Sequence, residues 1–165
     1  MKLIIGIGNH LPWFKNTHHN IGHMFIDYIT NQNIKTNTII KTPYSKIYPT
    51  ERFIYIKNRT SINNSYRSIV ECKKTYNTDN KNIYILYDDF SLNLGEFKIR
   101  TRDSTSNHNG IKPVYEKIGN GFTRILIGTN KPGSKPNARR VLFKFTQSEK
   151  NELLKVFKGI ALQFK

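Results

Sequence analysis

The chain has a single cysteine, Cys72, so no disulfide can form within it, and a reducing compartment fits this usage. Long apolar runs are also missing. No stretch approaches the roughly 18 consecutive apolar residues of a membrane-spanning helix, so no membrane partner is expected. The first apolar run already starts at Lys2, which leaves no cleaved targeting segment in view. The expectation is therefore a cytoplasmic protein, with an organelle as the alternative. Alanine is scarce while Ile, Asn, Lys and Tyr abound, a bias read as AT-rich nucleotide composition rather than selection.

Negative charge is scarce too. The chain carries 11 Asp and Glu against 27 Lys and Arg, a formal charge of +16 with a pI of about 10.0. A chain this basic is poised to meet polyanions, nucleic acid being the commonest, with binding that weakens steeply in salt. Charge alone does not separate an RNA enzyme from a ribosome-bound protein. Several catalytic signatures are also absent. "GIGNHL" starts like a dinucleotide fingerprint, but Leu11 stands at the third glycine position. His19 and His23 have the spacing of a helical metal pair, with His18 adjacent. No glutamate follows as in "HExxH" and no clustered acid completes a shell, so no metal is expected. There is no "GxSxG" elbow for a serine nucleophile.

At 165 residues the expectation is one domain, residues 1–165, long enough to bury a core. Hydrophobic residues make up only 37% and aromatics 12%, so Tyr and Phe carry much of the packing. "LIIGIG" at 3–8 reads as a buried strand. From Asn20, the residues Ile21, Met24, Phe25, Tyr28 and Ile29 share one helical face. Residues 38–57 predict two strands interrupted by Pro43 and Pro49, and 66–75 a helix that includes Cys72 as a packing residue. "KNIYILYDDF" at 81–90 is the second clear strand. A polar loop, "TRDSTSNHNG", precedes a helix over 111–118, and "FTRILIG" at 122–128 predicts another strand. Thr146 with Glu149 three residues on predicts a capping box for a last helix carrying Leu153, Leu154, Phe157, Ile160 and Ala161. Strands alternating with helices imply an α/β sheet sandwich.

Open α/β sheets bind ligands beyond the carboxyl ends of their parallel strands. Asn9 ends the first strand, Asp88 ends the second clear one, and His19 starts the helix between. If the two strands are parallel neighbours, all three meet at one edge. His19 beside Asp88 would be a base whose tautomer a carboxylate fixes, able to activate water against an ester or amide carbonyl. Asn9, Asn63 and Asn109 offer both donor and acceptor, which suits holding a peptide or polarising a carbonyl. As single residues in an Asn-rich chain they read equally well as turn and cap positions.

"KLIIGIGN", "THHNIGHMFID", "YDDFSLNLG" and "NHNGIK" together resemble, in order and spacing, the signature segments of bacterial-type peptidyl-tRNA hydrolase. The resemblance covers nearly the whole chain, including "GTNKPG" and the final helix. It implies a monomeric α/β domain with a twisted mixed sheet between helices, which cleaves the ester joining peptide to tRNA without metal or cofactor. It further implies His19 as the base that activates water, Asp88 as its orienting group and Asn9 as the carbonyl-positioning amide. Asn63 and Asn109 would hold substrate. Phe14 stands where a tyrosine is usual, and His108 matches the histidine before the site asparagine. Candidate contacts to tRNA phosphate are Arg100, Arg102, Arg124, Lys131 and Lys135. The family pairs a basic residue, here Arg100, with an arginine where this chain has Leu126. Arg124, two residues earlier, lies on the same strand face. The loop before "HNG" holds no glycine, which implies a reshaped lid, and Tyr66 stands where a small residue is usual. Two further readings stand beside the hydrolase: an RNA- or ribosome-binding protein that keeps the fold without turnover, and a generic esterase or amidase.

Overall fold

The computed structural model describes residues 1–32, 38–101 and 108–165. Among these, seven strands form one mixed sheet and four α-helices flank it. In chain order they are β1 (Lys2–Gly6), α1 (Ile21–Asn31), β2 (Ile40–Lys41), β3 (Ser45–Pro49), β4 (Phe53–Asn58), α2 (Tyr66–Thr75), β5 (Ile83–Asn93), β6 (Phe97–Arg100), α3 (Lys112–Ile118), β7 (Thr123–Asn130) and α4 (Gln147–Ala161). The sheet order is β2-β3-β4-β1-β5-β7-β6. Its centre, β4-β1-β5-β7, is parallel, while the pairings β2–β3, β3–β4 and β6–β7 at the margins are antiparallel. No helix of the described residues is long and apolar enough to cross a membrane.

The central strands are apolar on both faces because helices cover both. Leu3, Ile5, Ile54, Ile56, Ile83, Ile85 and Tyr87 point toward α2 and α3, where Ile69, Cys72 and Val114 meet them. Ile4, Tyr55, Leu86, Ile125 and Ile127 point toward α1 and α4, where Ile21, Phe25, Ile26, Leu153 and Phe157 meet them. The two-residue period of a strand then puts Asp88 on the α1 face, two residues beyond Leu86. Burial pushes the Cys72 thiol up to about 11, so it serves as packing rather than as a nucleophile.

The segment 38–57 holds three strands where two were expected. Pro43 lies in the β2–β3 turn, and Pro49 ends β3. The helix after β1 also begins differently. His18–Asn20 is a 3₁₀ turn, and the α-helix starts at Ile21. Its buried stripe runs through Ile21, Gly22, Phe25 and Ile26, with Met24, Tyr28 and Ile29 only half buried. The capping box at Thr146 and Glu149 forms as expected.

Two glycines bring α1 onto the sheet. A Cβ on Gly6 would lie 2.1 Å from the Gly22 carbonyl oxygen, and one on Gly22 would lie 2.4 Å from the Leu86 carbonyl oxygen. Only backbone fits between the first turn of α1 and the ends of β1 and β5.

Candidate active site

Strands β1 and β5 are parallel neighbours, so their ends lie side by side. His19, in the 3₁₀ turn before α1, places Nδ1 2.8 Å from Asp88 Oδ2 and 2.9 Å from Oδ1. The Asp88 carboxylate is only 2% exposed and also accepts from His108 Nε2, at 2.8 Å. Gly110 N–H donates to His108 Nδ1 at 3.0 Å, so the His108 proton must sit on Nε2 and point at Asp88. Two imidazoles therefore share one buried carboxylate. Burial by itself pushes the Asp88 pKa up. The electrostatic pull of His108 and the hydrogen bonds from His108 and His19, with the pull of His19, outweigh it and hold Asp88 well below the usual carboxylate range.

An ionised Asp88 can only accept, so His19 carries its proton on Nδ1. Its Nε2 keeps a lone pair, bonded to no described residue, and the side chain remains 16% exposed. That is the configuration of a general base.

Asn9 is held just as firmly. Asn20 accepts from the Asn9 backbone N–H and donates to its carbonyl, both at 2.8 Å. The Asn9 side-chain oxygen accepts the Ile62 N–H at 2.7 Å. With its oxygen engaged, Asn9 has only its NH₂ left to offer an incoming carbonyl. Ile62 opens the turn Ile62–Asn64, which exposes Asn63. Ser65 Oγ donates to the Gly110 carbonyl at 3.3 Å, joining that turn to the one that exposes Asn109. From Gly110 the bonds return through His108 and Asp88 to His19, and Asn20 links back to Asn9. The three amide-bearing turns and the base are tied into a ring.

The expected catalytic pair and all three amides thus belong to one edge. Phe14 is half buried in the turn Pro12–Phe14, whose carbonyl at Phe14 accepts from Thr17 Oγ1 at 2.7 Å. Two of the expected contact residues are engaged or buried within the fold. His108, expected to touch substrate, has one ring nitrogen on Asp88 and the other on Gly110. Arg124, expected on phosphate, is 4% exposed. It lies on the face under α3, with its guanidinium 6.0 Å from the Tyr115 ring and Nη1 3.4 Å from the Tyr87 hydroxyl. The β6–β7 register does pair it with Arg100, which is exposed, and pairs Leu126 with Lys98. Lys131 and Lys135 are exposed in the loop after β7, and Arg102 lies outside the described residues.

His18 and His23 do not join His19. His18 stacks on Phe145 at 4.4 Å between ring centroids, and burial lowers its pKa. His23 Nε2 lies 2.7 Å from Asn58 Oδ1. Asn58 in turn clamps the peptide of Gly8, accepting its N–H at 2.9 Å and donating to its carbonyl at 2.7 Å. Asn20 and Asn58 were not foreseen as site residues. Only adjacency to His19 and to the β4 terminus marked them, and neither is a periodic signal.

His19, Asp88 and His108 offer ligand atoms within 4.8 Å of one another, so this is where the described residues could hold a metal ion. The same three side chains are already joined by the two imidazole–carboxylate bonds. A cavity of about 780 Å³ is lined by Asn9, Asn20, His23, Lys57 and the start of α4, while His19 and Asp88 do not line it.

The family model described as peptidyl-tRNA hydrolase matches residues 3–165. The peptidyl-tRNA hydrolase of Rickettsia felis is 34% identical over 169 aligned residues, covering 99% of this chain and 91% of that one. That of Clostridium novyi is 34% identical, covering 96% and 87%. Among solved structures, peptidyl-tRNA hydrolase from Acinetobacter baumannii superposes with a TM-score of 0.82 at 26% identity, covering 96% of this chain and 83% of that one. A point mutant of the same enzyme gives 0.83.

Proposed function

Because the chain belongs to the peptidyl-tRNA hydrolase family, we propose that it hydrolyses the ester joining peptide to tRNA, with water activated by His19. The observation that carries the mechanism is the 2.8 Å bond from His19 Nδ1 to the buried Asp88 carboxylate. His19 Nε2 takes a proton from water as the oxygen attacks the ester carbonyl carbon. Asp88 stabilises the imidazolium that forms and keeps the ring oriented. The Asn9 NH₂ donates to the carbonyl oxygen as it gains negative charge. The tetrahedral intermediate then expels the ribose oxygen, which receives the proton from His19, and the peptide leaves as a carboxylic acid.

Asn63 and Asn109, exposed at the mouth of the edge, hold the peptide backbone, and Phe14 contributes an apolar contact beside them. Arg100, Lys131 and Lys135 meet tRNA phosphates, while Arg124 supports the sheet from beneath α3. The protein works as a single-domain monomer in the cytoplasm and recycles tRNA from stalled translation. The reading as a binding protein without turnover is not favoured by the match to the peptidyl-tRNA hydrolase family over residues 3–165.

The test is release of peptide from a defined peptidyl-tRNA. The wild type should turn over, and His19→Ala should lose about 10²- to 10⁴-fold in kcat while still binding tRNA. Equal inactivity of wild type and His19→Ala on a substrate that a relative cleaves would overturn the proposal.

A further inference from the structure

Two large aromatic side chains stand in solvent on the segments that frame His19. Trp13, the one tryptophan of the chain, is 64% exposed in the turn before it, and Phe143 is 59% exposed. The segments are joined directly. Thr17 bridges Lys144, His18 N–H donates to the Phe143 carbonyl at 3.0 Å, and Phe145 N–H donates to the Asn16 carbonyl at 2.9 Å. Leu142, 56% exposed, and Leu11, 38% exposed, add to the apolar surface. Apolar groups gathered at a surface mark a binding site more often than scattered ones do.

The two segments themselves carry charge of one sign, with Glu149 the first acid beyond them. Residues 1–26 and 117–148 contain no Asp or Glu, while Lys15, Arg139, Arg140 and Lys144 interleave with the aromatics. Exposed rings interleaved with cations suit single-stranded nucleic acid, whose bases stack while its phosphates meet the cations. A peptide gives no reason for the cations. A second copy would set +16 against +16. A lipid surface would have to cover the edge on which the catalytic base sits.

We propose that Trp13 and Phe143 form a stacking platform for the unpaired bases at the 3′ end of the substrate RNA, with Arg139 and Lys144 on their phosphates. The inference rests on the reading of this edge as the peptidyl-tRNA ester site. It places the single-stranded end, rather than a base-paired stem, against the turns on either side of His19.

Trp13 is its own reporter, since base stacking quenches indole fluorescence. A short single-stranded RNA with a free 3′ end should quench Trp13, and a blunt RNA duplex of the same length should not. Trp13→Ala and Phe143→Ala should each weaken single-stranded RNA, measured by anisotropy of a labelled strand, by roughly 5- to 150-fold. Trp13→Phe should restore most of the loss, and thermal melting should be unchanged because both side chains are exposed. Unquenched Trp13 at saturating RNA, or unchanged affinity in both alanine variants, would overturn the platform. So would variants that lose peptide-length preference or binding to anionic lipid vesicles while keeping RNA affinity. Wild type that hydrolyses peptidyl-tRNA while these variants bind normally sinks only the platform. Wild type that fails to hydrolyse sinks the ester-site reading, whatever the quenching shows.

Discussion

The side-chain oxygen of Asn9 accepts the Ile62 backbone N–H at 2.7 Å, and this one bond fixes which end of the amide faces substrate. Asn9→Asp keeps an oxygen for Ile62 but replaces the donor with a second acceptor. Loss of one carbonyl-stabilising donor costs about 10²- to 10³-fold in comparable sites. We expect kcat on peptidyl-tRNA to fall by that order with the melting temperature little changed. A variant with normal kcat would remove Asn9 from the chemistry.

Asp88→Asn should be more damaging than its isosteric shape implies. A neutral amide cannot accept from both imidazoles with equal strength, and its NH₂ drives His19 toward the wrong tautomer. We expect a kcat loss of about 10²- to 10⁴-fold with KM nearly constant, read from steady-state hydrolysis.

His108 bonds Asp88 rather than the reacting atoms, so we expect it to act as a positioning residue. Its electrostatic pull and hydrogen bond are the leading influences that lower the Asp88 pKa. His108→Ala should lower kcat by about 10-fold, a smaller effect than His19→Ala, and move the acidic limb of the rate–pH profile upward. A substrate-binding role would raise KM instead, and the two parameters measured together decide between them.

Stability should fall in mild acid. Burial, and then the charge of Lys57, hold His23 at about 4 against an ordinary 6.5. The folded state therefore resists a proton that the unfolded chain accepts. The neutral form's advantage is whole above pH 6.5 and is lost as pH falls toward 4. The difference amounts to on the order of 3 kcal/mol for this one group. His18, also lowered by burial, adds in the same direction. Asp88, held low, loses its contribution only as pH drops through and below 4. Urea unfolding at pH 7, 5.5 and 4.5 should show the decline. His23→Gln, which keeps a donor for Asn58, should flatten it.

Binding of tRNA should weaken steeply with salt. If Lys131 and Lys135 each meet one phosphate, the double alanine variant should reduce the slope of log K against log salt by about 1.4 to 1.8. Its kcat should stay at the wild-type value. An unchanged slope would move the phosphate contacts elsewhere on the basic surface.

The edge itself was legible because it follows from periodicity. The reading was conditional: if the runs ending in Asn9 and Asp88 are parallel neighbours their ends meet, and β1 and β5 are parallel neighbours. The role of His108 was not legible, because it depends on Gly110 donating to one ring nitrogen and so aiming the other. Burial of Arg124 was hidden for a similar reason. Its strand face could be read, but not that α3 would cover that face. The Asn58–Gly8 clamp links positions 50 residues apart through side-chain hydrogen bonds, which leave no pattern along the chain. Of the glycine-free loop at 101–107, all but Thr101 lies outside the described residues.

The contact of Gly6 with Gly22 bears on how this site could vary. His19 stands three residues before Gly22, and Asp88 two residues after Leu86, whose carbonyl Gly22 abuts. The gap between base and carboxylate is thus gauged by two backbones in touch, with no side chain as a spacer. A single methyl at either glycine would act as a shim, lifting the helix start and opening the 2.8 Å bond while leaving every named catalytic group in place.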